Sequence, residues 1–324
     1  MKTLIPTRFH SVLAGVTLLI SLMAASCGDA DPAASAQSGE EGSLAKVDNA
    51  LSMGDYVITP AGYFHRSCVY EVGEEATVLE DGRVQVDDGR ILTIPPCKFP
   101  AHRTRQAPSD PALTSNPALN GWAVSADWTS TQYITNLSAH FDVPAAPSSV
   151  ASQLIYFFPS LMPAAQNTII QPVLQYGTSP IGGGQYWALA SWYVDGSGNS
   201  LHSKLLNVST GDTIVGTMTG TQCTASGGCT WAIVSRDATI SKTRKLTVTR
   251  PEAYTVANGG VLEAYNVSTC ADLPADGSIT FSNLHAAGAS GTLTPTWAQT
   301  VWNHTKPHCN YSVTTSGNSN QLFY

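Results

Sequence analysis

Two glutamines stand where a buried strand would ordinarily carry aliphatic residues. The stretch from Thr168 to Val194, TIIQPVLQYGTSPIGGGQYWALASWYV, reads as two strands joined by a glycine-rich turn. Alternation places Gln171, Val173 and Gln175 on one face and Ile170, Pro172, Leu174 and Tyr176 on the other, one face for a core and one for a groove. In the second strand Tyr186, Ala188, Ala190, Trp192 and Val194 share one side, and Gln185, Trp187, Leu189, Ser191 and Tyr193 share the other. Aromatic and amide side chains on a common sheet face give flat apolar contact with a few hydrogen-bonding handles, which suits a peptide or sugar cleft. The wet outer face of a sandwich is the alternative. A carboxylate, Glu263, lies in VLEAYNV, where alternation groups it with Val261, Tyr265 and Val267. It sits either on a wet face or inside a cleft.

Other chemistries lack their residues. There is no HExxH, CxxC, GxSxG, phosphate-binding glycine loop or calcium-loop pattern, so zinc hydrolases, thioredoxin-like proteins, α/β-hydrolases and nucleotide enzymes lose support. The eight histidines show no ligand spacing, and His202 and His285 read as structural. A Ser/His/Asp triad stays open, because its members need not be close in sequence. The closely spaced acids of a β-sandwich glycanase are not found around VLEAYNV. His65, Arg66 and Glu71 read as surface polar groups. Arg236, Lys242, Arg244, Lys245 and Arg250 concentrate cations in SRDATISKTRKLTVTR, which reads as edge-protecting charge, with an anionic partner as the alternative.

The elements that position these residues are strands. Charged residues make up 12% of the 324, about half the usual globular share of ~25%, while Gly, Ser, Thr and Asn abound. That composition suits an extracellular β-protein, and a net charge of -7 gives no basic field for nucleic acid. Lys2 and Arg8 precede an apolar run from Val12 to Met23 and the small residues MAASCGDA, the pattern of an export signal. MAASC is similar to a bacterial lipobox ending at Cys27, so the protein is expected to be secreted or lipid-anchored at the cell envelope. Setting Cys27 aside leaves six cysteines, and the expected pairs are Cys68 with Cys97, Cys223 with Cys229, and Cys270 with Cys309. Residues 27–50 are small and polar, a flexible tether. Residues 51–111 form a small unit of short β runs separated by Asp/Gly turns, and the Pro-rich stretch from Ala101 to Asn120 is a linker exposed to cutting. From Gly121 onward short strands follow at even spacing with turn signals, the signature of a two-sheet sandwich.

From Asn120 on, the chain resembles the eqolisin glutamic peptidases, acid-acting endopeptidases with a concanavalin-like sandwich. The resemblance runs in order through NGW near Gly121, LSAHFDVP (Leu137 to Pro144), VLQYG (Val173 to Gly177), ASWYV (Ala190 to Val194), STGDTI (Ser209 to Ile214), VLEAYNV (Val261 to Val267) and SITF (Ser278 to Phe281). It implies a catalytic glutamine at Gln175 and a catalytic glutamate at Glu263. The plant neprosin-type peptidases look more distant, with a glutamate where this chain has Gln175. The family's Trp-containing strand is replaced by LIYFFPSL, leaving Tyr156 and Phe157 as substitutes, and Ser191 stands where the family carries a further acid. Gln171 shares the face of Gln175 and rivals it.

Sequence pattern and resemblance together give an all-β chain: a concanavalin-like two-sheet antiparallel β-sandwich is expected over 112–324, preceded by a signal peptide (1–26), a tether and a small β-rich unit over 51–111 acting as a propeptide. Gln175 and Glu263 are the expected catalytic pair, and Gln171, Trp187, Trp192, Tyr193 and Tyr156 the expected substrate contacts. A glutamate accepts a proton from the attacking water and returns it to the leaving amine, and a glutamine amide donates to the oxyanion without titrating. Neither a metal nor a cofactor is implied. The expected partners are protein or peptide substrates, with no nucleic acid, and the chain is expected to be a monomer. The rival reading is a lectin-like module that holds glycans with Trp187, Trp192 and the glutamines.

Overall fold

A computed structural model describes residues 53–86, 88–103, 119–302 and 307–324. The expected signal peptide and tether, Cys27, most of the Pro-rich linker with the 111/112 boundary, and the residues from Asn303 to Lys306 lie outside the described residues. Among the described residues no helix is long and apolar enough to cross a membrane.

Before the linker come β1 (Tyr56–Thr59), β2 (Gly62–His65), β3 (Val69–Glu71), β4 (Thr77–Val78), β5 (Arg83–Gln85), β6 (Ile91–Thr93) and β7 (His102–Arg103). After it come β8 (Leu119–Thr129), β9 (Ile134–Asp142), β10 (Leu154–Pro163), β11 (Ile169–Ser179), β12 (Gly182–Val194), β13 (Ser200–His202), β14 (Leu206–Val208) and β15 (Thr213–Thr221). The chain continues through β16 (Cys229–Asp237), β17 (Lys242–Arg250), β18 (Tyr254–Val267), β19 (Ser278–Gly288), β20 (Gly291–Leu293), β21 (Ala298–Val301), β22 (Ser312–Ser316) and β23 (Ser319–Phe323). The fold is all-β, as composition and turn spacing require.

Two large sheets face each other. The cleft sheet has the order β21-β8-β18-β10-β11-β12-β13-β3, with β14 also on β12. The back sheet has the order β22-β23-β19-β9-β15-β16-β17-β4-β5-β6, with β20 on β19. Between them Phe157, Ile170, Leu174 and Trp187 of the cleft sheet join Leu137, Ile214, Trp231, Ile233 and Leu246 of the back sheet in one apolar core. Strands of the back sheet such as β15 and β16 alternate buried and half-exposed residues, as a sheet with one wet face should. β10 is buried along its whole length and β11 nearly so. Something therefore covers the second face of the cleft sheet.

The cover is the N-terminal segment. Its β1–β2 hairpin lies on the cleft face, where Ala61, Tyr63 and Phe64 join an apolar cluster with Trp122, Tyr156, Phe158, Val173, Trp192, Val261 and Tyr265. Its strand β3 extends the cleft sheet by pairing with β13, and β4 extends the back sheet by pairing with β17, both in parallel. The segment thus closes one edge of each sheet, positions that otherwise expose unpaired N–H and C=O groups. The cation-rich strand β17 finds its anions here: Arg244 meets Glu74 at 3.2 Å and Lys245 meets Glu75 at 3.6 Å. The described residues, Met53 to Tyr324, fall in a single compact unit.

The disulfides are Cys68–Cys97, Cys223–Cys229 and Cys270–Cys309, the pairs expected from the sequence. Cys68–Cys97 bridges the end of the hairpin to the approach to β7, a separation of 29 residues. Replacing both cysteines by alanine frees that loop in the unfolded chain and should cost about 3 kcal/mol. Denaturant melts of the double variant are expected to show that loss, with the two other disulfides intact by mass spectrometry.

Candidate active site

The site is built on three adjacent strands. Tyr156 on β10 stands in register with Gln175 on β11 to one side and with Glu263 on β18 to the other. One row across the sheet therefore reads Gln175, Tyr156, Glu263. Gln171 lies further along β11, opposite Trp192 of β12. The glutamines, Tyr156 and Glu263 are all essentially inaccessible to solvent. Gly259 and Gly260 precede Glu263 at a shift in the pairing of β18, where a side chain on Gly260 would sit 2.5 Å from the Phe281 ring. Such a bulge re-aims the residues that follow it. Beyond Tyr265 the alternation breaks: Asn266 has φ 56°, a left-handed conformation that asparagine tolerates, and Val267 turns into the inter-sheet core rather than sharing the face of Val261 and Tyr265.

Into this row comes the turn Thr59-Pro60-Ala61-Gly62 that joins β1 to β2. Proline suits the second position of a type II turn, and the third requires positive φ, which Ala61 adopts at 92°. The strained residue is the one that touches the carboxylate. The Ala61 N–H donates to both oxygens of Glu263, at 3.1 and 3.0 Å, and the Gln171 Nε2 donates to the Pro60 carbonyl at 3.2 Å. The two ends of one peptide bond are thus held by Gln171 and Glu263. The Tyr156 hydroxyl reaches the Ile58 carbonyl at 3.4 Å.

Burial sets the electrostatics. A carboxylate removed from water is costly unless donors surround it, and here the Tyr265 hydroxyl adds a donor to Glu263 Oε1 at 2.5 Å. The Tyr63 phenol is pushed up to about 12 by burial and by the Glu263 charge, and Tyr156 is raised well above its ordinary value for the same reasons. Both phenols therefore stay neutral and able to donate across the working range of any enzyme. Among the described residues no three His, Cys, Asp or Glu side chains converge as metal ligands would.

The two glutamines are held differently. Gln175 Nε2 donates to the carbonyls of Gly177 at 2.9 Å and Gly182 at 3.1 Å, which uses both amide protons. Gln171 spends its donor on the hairpin. The side-chain carbonyl of each is buried without a hydrogen-bond partner among the described residues, leaving acceptors inside the cleft.

Trp192 and Tyr156 lie on the cleft face, Trp192 beside the His202 ring at 5.0 Å. Trp187 and Tyr193 do not: they alternate onto the opposite face and are buried in the inter-sheet core. Trp187 packs against Tyr176 and Phe157, and Tyr193 lies under the Arg250 guanidinium at 5.5 Å. They cannot contact a ligand in the cleft, and the glycan-binding reading loses one of its two tryptophans. Ser191 also faces inward, 3.1 Å from Ser235 across the sheets. Pro60 and Ala61 escaped the sequence reading, since nothing local ties them to strands more than a hundred residues away. Tyr265 was grouped with Glu263 by alternation without being given a role.

Gly183 makes the room for Gln175. A methyl there would lie 2.4 Å from Gln175 Nε2, at φ 101°. Gly183→Ala is therefore expected to cost about 1–3 kcal/mol through strain and displacement of the amide. Thermal melts should place it several degrees below Gly211→Ala, whose φ is 86° with no neighbour within 4 Å.

No family model and no curated protein matches the chain. Among solved structures it is similar to scytalido-glutamic peptidase with a peptide-based transition-state analogue, at 16% identity and TM-score 0.46, covering 63% of this chain and 98% of that one. It is also similar to SCP-B, a member of the eqolisin family of peptidases in complex with the tripeptide Ala-Ile-His, at 15% identity and TM-score 0.44 over 63% of this chain and 98% of that one.

Proposed function

We propose that the chain is an exported, acid-acting endopeptidase in which Glu263 is the general base and a glutamine of β11 is the oxyanion donor. One observation carries the reading: the Pro60–Ala61 peptide bond lies between Gln171 and Glu263, its carbonyl on an amide donor and its N–H on the carboxylate. The cleft thus already holds the functional group it would hydrolyse.

With the hairpin gone, a water takes the place of the Ala61 N–H on Glu263. The carboxylate removes a proton as the water oxygen bonds to the substrate carbonyl carbon, and the carbonyl oxygen becomes an oxyanion held by the glutamine amide. Glu263 then returns the proton to the amide nitrogen, the C–N bond breaks, and acid and amine leave. A glutamate ionises near pH ~4.3 unperturbed, within the acid range. The segment 51–111 acts as a propeptide, blocking the cleft until the linker after it is cut. Gln175, level with Glu263 in the row, is assigned the oxyanion role, for which its amide must give up one of the Gly177 and Gly182 carbonyls, and Gln171 is assigned the adjoining main chain.

Acid-incubated protein should cleave casein and quenched peptides. Glu263→Gln keeps shape but removes the proton acceptor, so hydrolysis should fall by about 10²- to 10⁴-fold with an unchanged melt. Gln175→Ala is expected to lose on the order of 10²- to 10³-fold and Gln171→Ala less. The reverse order would move the oxyanion role to Gln171, and a folded Glu263→Gln protein cleaving at the wild-type rate would end the peptidase reading.

A further inference from the structure

Glu263 and Tyr265 are alternate residues of β18 and so share its cleft face. The Tyr265 hydroxyl lies 2.5 Å from Glu263 Oε1 and 3.5 Å from the Thr59 carbonyl. A phenol has one proton to donate, and the short contact to a charged acceptor takes it. The ring is fully buried, edge-on to Tyr63 at 5.4 Å and to Tyr156 at 6.2 Å.

The donors on Glu263 differ in where they come from. The Ala61 N–H belongs to the hairpin and leaves with it. The Tyr265 hydroxyl belongs to the same strand as the carboxylate and stays. We infer that Tyr265 is a positioning residue for the reaction proposed above: its hydroxyl donates to Oε1, favours the ionised form of the carboxylate and directs the proton from water to Oε2. The inference rests on the reading of Glu263 as the base.

Among the described residues, the titratable side chains facing Glu263 include Tyr63 from β2, Tyr156 from β10 and Tyr265 from its own strand. The first two stay protonated, because burial and the Glu263 charge raise both. Neither therefore adds a competing charge. A hydrogen bond to the ionised form lowers the pKa of a carboxyl group, so removing it must raise that pKa and move the acid limit of activity toward neutral pH.

The test is an isotope-edited infrared titration of the glutamate carboxyls in the full chain, with the Glu263 band assigned as the one missing from Glu263→Gln. Tyr265→Phe keeps the ring contacts and should raise the Glu263 midpoint by about one pH unit, roughly tenfold in its protonation constant. Tyr63→Phe should leave the midpoint where it is. Replacing Tyr265 by 3-fluorotyrosine, a stronger donor, should move it the opposite way, which supplies a second reading if the phenylalanine variant fails to fold. In peptide hydrolysis the acid limb of kcat for Tyr265→Phe should shift by the same amount, with KM little changed. An unmoved midpoint in both variants overturns the inference, even if peptides are cleaved through Glu263. A moved midpoint in a protein that cleaves no peptide upholds the Tyr265 contact and overturns the peptidase reading instead.

Discussion

A carboxylate held wholly out of water dictates much of this structure. Donors reach the buried Glu263 from two directions, the Tyr265 hydroxyl within its strand and the Ala61 N–H from a hairpin far away in sequence. Those donors in turn demand a backbone able to deliver them. The glycine pair before Glu263 lets β18 shift its pairing, and the positive φ of Ala61 aims its N–H at the carboxylate. Local strain is thus kept where the charge repays it.

The same constraint explains why the cleft sheet is buried on both faces. One face packs on the back sheet through large apolar side chains. The other carries polar groups that would be solvated if open, and the hairpin replaces water there with backbone carbonyls and an N–H of fixed orientation. The exchange is nearly neutral for the groups that gain a hairpin partner, whereas the Gln171 and Gln175 side-chain carbonyls have none among the described residues. The apolar ring of Ala61, Tyr63 and Phe64 against Trp122, Phe158 and Val173 then supplies the net attraction.

Legibility followed the range of the interactions. Alternation is a local property, so the shared face of Gln171, Val173 and Gln175, and of Trp192 with Ala190, could be read directly. Which face of β12 looks into the cleft depends on its pairing with β11, and without that pairing Trp187 and Tyr193 were placed in the cleft although they belong to the core. Val267 was misplaced because a single left-handed residue, Asn266, reverses the alternation. The disulfides were readable because each joins cysteines that follow one another along the chain. The acidic partners of β17, Glu74 and Glu75, were not, since they come from a segment that sequence alone treats as separate.

The contact between Ala61 and Glu263 closes a span of 202 residues, and that length orders events in time. The β1–β2 hairpin pairs adjacent strands across a short turn, so its own contacts can close early. Its seat is made of β10, β11 and β18, which emerge later and must first find each other across many intervening residues. The parallel pairings of β3 on β13 and β4 on β17 wait in the same way. The earliest piece to form is then the last to dock, and a filled cleft becomes a record that the sandwich has finished assembling.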